Sequence, residues 1–335
     1  MVKAARPLPW ASHVCETVSK EFRPAYVTSL GAAYCADSLD FLPSLADSSV
    51  NLFITSPPFA LQRQKEYGNQ SQEEYVDWFL RFAKIVHSKL ALDGSFVLDL
   101  GGAYRQGYPV RSLYNFRILI RLCDEIGFHL AEDFYWYNPS RLPSPIEWVN
   151  KRKLRAKDAV NTVWWLSKTE WPKADISKVL TEYSGRMKKL LENPQAFYTP
   201  KKRPSGHDIG SGFAKNNGGA IPSNLLQIPN TESNSKYLRA CQALGIKQHP
   251  ARFPARLPEF FIRFLTDPTD IVVDFFAGSN TTGNVAEDEG RRWIAIDQDL
   301  MYVASSALRF VSEEEIPDKI KRLYSSISNG GMAKL

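Results

Sequence analysis

The stretch from Ile271 to Asp297 limits the possible fold more than any other part of the chain. An apolar run, Ile271-Val-Val-Asp274-Phe-Phe276, leads into the turn Ala277-Gly278-Ser279-Asn280-Thr281-Thr-Gly283. A helical segment follows to about Gly290, and then a second apolar run, Trp293-Ile-Ala-Ile-Asp297. A strand, glycine turn, helix and second strand form a crossover unit, which places its two strands parallel in one sheet. Asp297 follows Gly278 by nineteen positions, a spacing that lets a carboxylate at the second strand's end take a ribose diol. The turn also informs through what it lacks. Asn284, not lysine, follows Gly283, and the chain has no Gly-x-Gly-x-x-Gly here, so neither a P-loop nor a dinucleotide site is expected. S-adenosylmethionine, with a ribose and adenine but no phosphate, suits such a turn. A plain strand-to-helix connection is the competing reading.

A second constraint lies far upstream. Val50-Asn-Leu-Phe-Ile54 reads as a short buried strand, and Thr55-Ser56-Pro57-Pro58-Phe59 ends it abruptly. Proline offers no ladder N–H and restricts the residue before it, so the double proline forces a rigid turn. The turn presents a hydroxyl, bare carbonyls and an aromatic ring at the sheet's carboxyl edge, where open α/β sheets bind ligands. By itself, Pro-Pro is most simply a strand end.

Between these points the chain alternates strand and helix. Gly31 to Asp37 reads as a strand ending in an acid, and Ser38 to Leu45 as a brief helix. Gln62 to Ser71 has no periodicity and reads as a loop. Tyr75, Trp78, Phe79, Phe82, Ile85 and Val86 repeat at helical spacing. Asp93-Gly94 is expected to turn into the strand Ser95 to Gly102, which carries Asp99. A helix over about 115–126 would bury Phe116, Leu119, Ile120 and Cys123. His129 to Tyr137 and Asn161 to Ser167 read as strands, with Trp164 and Trp165 in the core. The rhythm implies a parallel, doubly wound α/β sheet. It lapses between about 170 and 234 into Lys-, Pro-, Gly- and Asn-rich sequence, which reads as an insertion.

Composition matters mainly through charge. The whole chain carries +6, but residues 151–215 hold fifteen Lys/Arg and six Asp/Glu, a local excess of +9. A concentrated excess points to a polyanionic partner. No run of about 18 apolar residues and no signal-peptide pattern occurs, so a cytoplasmic protein without membrane contact is expected. The four cysteines are scattered and no histidines have ligand spacing, so neither a disulfide framework nor a metal is expected.

Taken together, Ser-Pro-Pro-Phe and the downstream glycine turn resemble the DNA amino-methyltransferases of the beta group, in which the catalytic tetrapeptide precedes the cofactor motif. The resemblance runs from about Tyr26 to Phe310 and is nearest to the PvuII-type cytosine-N4 enzymes. It implies a Rossmann-like methyltransferase sheet with permuted motif order. Asp37 resembles the acid receiving the cofactor's adenine amine, Asp274 to Thr281 the glycine-rich motif, and Asp297 the ribose-binding acid. His249-Pro250-Ala-x-x-Pro254 is similar to the segment opening another cofactor-contacting helix. Within this group, Ser-Pro-Pro resembles the cytosine-N4 enzymes, whereas Asp- or Asn-Pro-Pro is typical of the adenine-N6 enzymes. Ser56, Pro57, Pro58 and Phe59 would then be catalytic, with Asp99 polarising Ser56. Tyr135, Trp136 and Tyr137 resemble the aromatic motif on the opposite pocket wall, although strand alternation should bury at least one.

The expected organisation is a flexible tail (1–25), a catalytic half (26–139), a target-recognition insert with returning core strands (140–245), a cofactor half (246–312) and a C-terminal segment (313–335). The expected substrate is double-stranded DNA, with CAGCTG as target by resemblance and a possible cognate restriction endonuclease in the same system. The enzyme would be a monomer or homodimer. Lys151, Arg152, Lys153, Arg155, Lys201, Lys202 and Arg203 would hold phosphates, and His207 has a side chain suited to base edges. Adenine-N6 methylation, a DNA-binding protein with a relict cofactor fold, and a small-molecule or RNA methyltransferase are the alternatives.

Overall fold

A computed structural model describes residues 18, 21–59, 72–105, 107–194, 215–231, 235–311 and 317–335. The expected loop at 62–71, most of the N-terminal tail, and Lys201, Lys202, Arg203 and His207 lie outside the described residues.

The chain forms two compact units, residues 1–173 with 224–335, and residues 174–223. In the larger unit the strands are β1 (Tyr26–Val27), β2 (Gly31–Cys35), β3 (Val50–Thr55), β4 (Leu90–Leu100), β5 (His129–Tyr137), β6 (Val160–Ser167), β7 (Leu225–Gln227), β8 (Ile271–Asp274), β9 (Arg292–Asp297) and β10 (Ala333–Lys334). They make one sheet in the order β10-β1-β2-β9-β8-β3-β4-β6-β5-β7. The centre, β2-β9-β8-β3-β4, is parallel throughout. The expectation of a parallel sheet fails at β6, which runs antiparallel to both β4 and β5. Strand polarity leaves no trace in apolar periodicity, so β6 could be read as a strand but not oriented.

The crossover unit forms as read. β8 is buried along its whole length, and the helix Thr281–Asp288 follows a turn closed by Asn280. Asn280 adopts a left-handed conformation (φ 52°) and its side chain accepts from the Gly283 N–H at 2.9 Å. That bond satisfies one of the helix's orphan N-terminal donors. The helix Gln72–Lys89 buries Tyr75, Phe79, Phe82 and Val86 against the sheet, beside Phe53, Phe96 and Phe275. Each such ring contributes roughly 1.5–3 kcal/mol on burial.

Two local readings are corrected. β4 begins at Leu90, directly after the helix; Asp93-Gly94 sits in a bulge, since Val50 pairs with Leu90 and Leu52 with Ser95. The helix Tyr114–Arg121, extended by a wide turn over Leu122–Ile126, buries Tyr114, Ile118 and Leu122, whereas Phe116 and Ile120 are exposed (46% and 56%). Tyr114 fixes that face inward because its hydroxyl donates to the Gly101 carbonyl. The C-terminal segment, for which the sequence suggests no elements, contains the helix Pro317–Ser328 and the edge strand β10 beside β1.

The smaller unit, 174–223, contains the helix Gly185–Glu192, whose Ser184 hydroxyl caps the Met187 N–H at 3.2 Å. Thr181 bridges Ala220, and Tyr183 donates to the Asn216 side chain while accepting from the Asn217 N–H.

Candidate active site

The carboxyl ends of β2, β9, β8, β3 and β4 come together at one edge of the sheet. A cavity of about 1120 Å³ opens there, lined by residues of the larger unit that include Asp37, Ser56–Phe59, Asp99, Phe276–Ser279, Thr281 and Asp297. Residues far apart in the chain meet because β3 lies between β8 and β4.

On the β4 side, Ser56 Oγ donates to Asp99 Oδ2 at 3.0 Å. The other Asp99 oxygen accepts from Asn161 Nδ2 at 3.1 Å, and Asn161 Oδ1 accepts from Arg141 Nη1 at 3.2 Å. The arginine can only donate, which fixes the orientation of the amide and hence the whole chain of bonds. Asp99 is 4% exposed, and burial pushes its carboxyl up to about 6 against the pull of Asn161, Ser56 and Arg141. Because the Ser56 proton is committed to Asp99, the Oγ lone pairs remain as acceptors. Phe59 packs on bare backbone: a Cβ on Gly101 would come within 2.4 Å of its ring. The ring is half-buried and forms part of the cavity wall.

At the other end, Asp297 Oδ2 accepts from the Gly278 N–H at 2.9 Å and Oδ1 from the Asp299 N–H at 2.9 Å. Burial raises its carboxyl above the usual range. Asp37, at the end of β2, is exposed and caps the following helix through Leu39 N–H. Gly278 has φ +50° and sits against the His249 ring, which a Cβ would approach to 2.9 Å. The Gly278 turn is held from behind by Arg309, which donates to the Ser279 carbonyl at 2.6 Å and to the Ser279 and Thr281 hydroxyls at 3.0 Å each. Asp37, Asp297 and Asp299 give this end an acidic lining that suits an amine and ribose hydroxyls and repels phosphate.

Comparison with known proteins bears directly on this arrangement. The profile of a DNA methylase family, N6_N4_Mtase, matches residues 50–308. The chain is 66% identical over 308 residues to the type II methyltransferase M.PvuII of Proteus hauseri, covering 92% of each. The chain belongs to this DNA methylase family. The solved PvuII DNA methyltransferase, described as cytosine-N4-specific, superposes with a TM-score of 0.78 at 56% identity, over 93% of this chain and 98% of that one. M.ScaI of Streptomyces caespitosus is 25% identical over 82% of this chain and 79% of its own length. A Thermus thermophilus protein solved with S-adenosyl-L-methionine shares the fold, with a TM-score of 0.50 at 17% identity, over 90% of this chain and 97% of that one.

Not every residue expected in the methylase site reaches the cavity. Asp274 does not line it; its carboxylate is enclosed by Thr55, Thr282 and the Phe276 N–H, and burial pushes it up to about 6. Asn280 is 1% exposed and clamps the turn by donating to Tyr26 at 2.9 Å. Both shape the Gly278 turn from inside. Of the three aromatics on β5, only Trp136 lines the cavity, with its indole N–H donating to the Ile228 carbonyl at 2.8 Å. Tyr135 points to the other face, where it meets Asp133, and Tyr137 is also absent from the lining. His249 and Pro250 do line it.

Among the basic residues, Lys151, Arg152 and Lys153 are exposed, the first two paired with Glu147 at 3.2 and 3.0 Å. Arg155 is not free: it donates to the Pro109 carbonyl and lies 4.6 Å over the Tyr104 ring. Sequence reasoning missed Asn161, Arg141 and Arg309. The only signal was the polar Asn161 opening an otherwise apolar strand; the other two lie outside any motif. No group of three His, Cys, Asp or Glu side chains arranged to hold a metal occurs among the described residues, and no described helix is long and apolar enough to cross a membrane.

Proposed function

We propose that this methylase transfers a methyl group from S-adenosylmethionine to the N4 amine of a flipped-out cytosine in duplex DNA, within CAGCTG, as the modification half of a restriction-modification system. The observation that carries the reading is the Ser56–Asp99 pair at the cavity wall, in a chain so similar to the cytosine-N4-specific PvuII enzyme. Asp37, Asp297 and the Gly278 turn would hold the methyl donor, and their acidic, phosphate-excluding character fits it. When bound, that group supplies an electrophilic methyl on sulfur.

The chain's own residues orient and deprotonate. The cytosine amine is a weak nucleophile because its lone pair is delocalised into the ring. Ser56 Oγ and the Pro57 carbonyl accept its two N–H bonds and favour the pyramidal geometry whose lone pair can attack in line. As the N–C bond forms and the C–S bond breaks, the surplus N4 proton passes to Ser56 Oγ, whose own proton moves to Asp99. An aspartate at position 56 would set a second carboxylate against the buried Asp99, a repulsive pair that serine avoids. Flipping costs a few kcal/mol, and stacking on Phe59 or Trp136 offsets roughly 1–3 kcal/mol of it. Lys151, Arg152 and Lys153 would hold phosphates.

The reading is tested by incubating enzyme and S-adenosylmethionine with duplex DNA containing CAGCTG, then digesting it and weighing the modified nucleoside. N4-methylcytosine and protection of that site are expected. N6-methyladenine would contradict the assignment of the base, and methylation elsewhere would contradict the target.

A further inference from the structure

Ser56 and Asp99 alone do not tell cytosine from adenine. Both bases present an exocyclic amine beside a ring-nitrogen acceptor, which is N3 in cytosine and N1 in adenine. They differ one position further round: cytosine has the carbonyl O2 where adenine has C2–H. We propose that the Arg141 guanidinium reads this edge, donating to N3 and O2 of the flipped cytosine and so setting which base is methylated. The proposal rests on the cytosine-N4 reading above.

Arg141 lines the same cavity as Ser56, Asp99 and Trp136. It stands at the far end of an unbroken hydrogen-bonded row, Ser56 to Asp99 to Asn161 to Arg141, with links of 3.0, 3.1 and 3.2 Å. The acceptor for the amine and the donor for N3 and O2 beside it are therefore held by one framework. Its backbone is fixed as well. The Arg141 N–H donates to the Asn138 carbonyl at 3.2 Å, and Lys157 Nζ donates to the carbonyls of Pro139 and Arg141 at 3.2 Å each. Asn138 is anchored in turn, its N–H donating to Ala159 O at 2.9 Å and its side chain accepting from the Ser140 N–H at 3.1 Å.

The Asn161 bond engages one N–H of a group that carries five. A planar fork of N–H donors matches two adjacent acceptors, as a point-charge ammonium does not. Adenine offers such a fork one acceptor and a C–H, leaving a donor unmet, and a site built around a hydrogen bond discriminates strongly against a base that lacks it. Arg252 also lines the cavity, but it donates to the His249 carbonyl and is not part of the Ser56 row.

The test times single-turnover methyl transfer on paired duplexes that carry cytosine or adenine at the target position, for wild type, Arg141→Lys and Arg141→Met. Lysine keeps the charge and removes the fork, so it serves even where the methionine variant folds poorly. Both variants are expected to lose roughly 10–100-fold on cytosine, the range of a lost bidentate base contact, and less than about threefold on adenine. The cytosine-to-adenine ratio should collapse accordingly; where adenine transfer is too slow to time, affinities for the same duplexes supply the ratio. Equal losses on both bases, or a lysine variant with the wild-type ratio, would assign Arg141 to a phosphate or to bracing Asn161 and would overturn the proposal. Wild-type enzyme that forms no N4-methylcytosine would instead overturn the underlying reading.

Discussion

Strand β3 ends between two buried aspartates, and consecutive residues donate one to each. Thr55 Oγ1 donates to Asp274 on the β8 side at 2.7 Å, and Ser56 Oγ donates to Asp99 on the β4 side at 3.0 Å. Burial pushes both carboxyls up to about 6. As chemistry the pairs are nearly alike; their surroundings separate them. Asp274 is closed, its oxygens taken by Thr55, Thr282 and the Phe276 N–H, and it lies behind the cavity wall. Asp99 has only side-chain partners, and its serine stands in the wall. A hydroxyl–carboxylate pair is structural where both groups are enclosed behind the wall. It can act on substrate where the hydroxyl faces open space.

The sharpest way to break this comparison is to remove the closed pair. Asp274→Ala strands two hydroxyls and an N–H, and should cost about 3 kcal/mol or more in urea unfolding. Asp274→Asn, which keeps an acceptor, should recover part of the loss. Wild-type stability in the alanine variant would mean that the pair does not hold the turn.

Next in size is Asp297→Ala, expected to weaken S-adenosylmethionine binding about 10–100-fold by calorimetry, by loss of a charge-assisted hydrogen bond acceptor. Unchanged affinity would move the ribose contact elsewhere. A smaller effect follows from Asn161→Ala. The Asn161 amide holds the Asp99 carboxyl down, so its loss lets that pKa rise further. Asp99 must be ionised to accept from Ser56, so the single-turnover rate should fall as pH drops through about 6 in wild type. In the variant that acidic limb should move to higher pH. A limb that stays in place would detach Asp99 from the chemistry. The smallest change at low salt is expected from neutralising Lys151, Arg152 and Lys153 together, which should flatten the salt dependence of DNA affinity by up to about 3 in log–log slope. Glu147 already pairs with two of them, so a smaller change is compatible, whereas an unchanged slope would place the phosphate surface elsewhere.

Much of this architecture was legible because β2, β3, β8 and β9 are short apolar runs cut off by strong turn signals, and each turn carries residues that line the cavity. Ser56 to Phe59 and Gly278 stand out in the sequence for that reason. What stayed hidden depended on pairings between distant segments. Asn161 reaches Asp99 only because β6 lies antiparallel beside β4, with Thr162 opposite Leu100. Asp274 matched the cofactor motif, yet its side chain turns inward to Thr55, and a motif does not record which way a strand-end carboxylate faces. Helical spacing assigns Phe116 and Ile120 to the core, while the Tyr114 bond to Gly101 sets a different face inward. β10 is two residues long, too short for any periodicity.

The most direct test of the central claim compares Ser56→Ala with Thr55→Val in single-turnover methyl transfer, each measured beside its unfolding free energy and its affinities for DNA and S-adenosylmethionine. The Ser56 variant should fold and bind both partners yet lose transfer by about 100-fold or more, on the order of one lost acid–base group. The Thr55 variant should lose stability while its folded fraction still transfers. A Ser56→Ala enzyme with wild-type transfer rate would contradict the claim that the open pair does the chemistry.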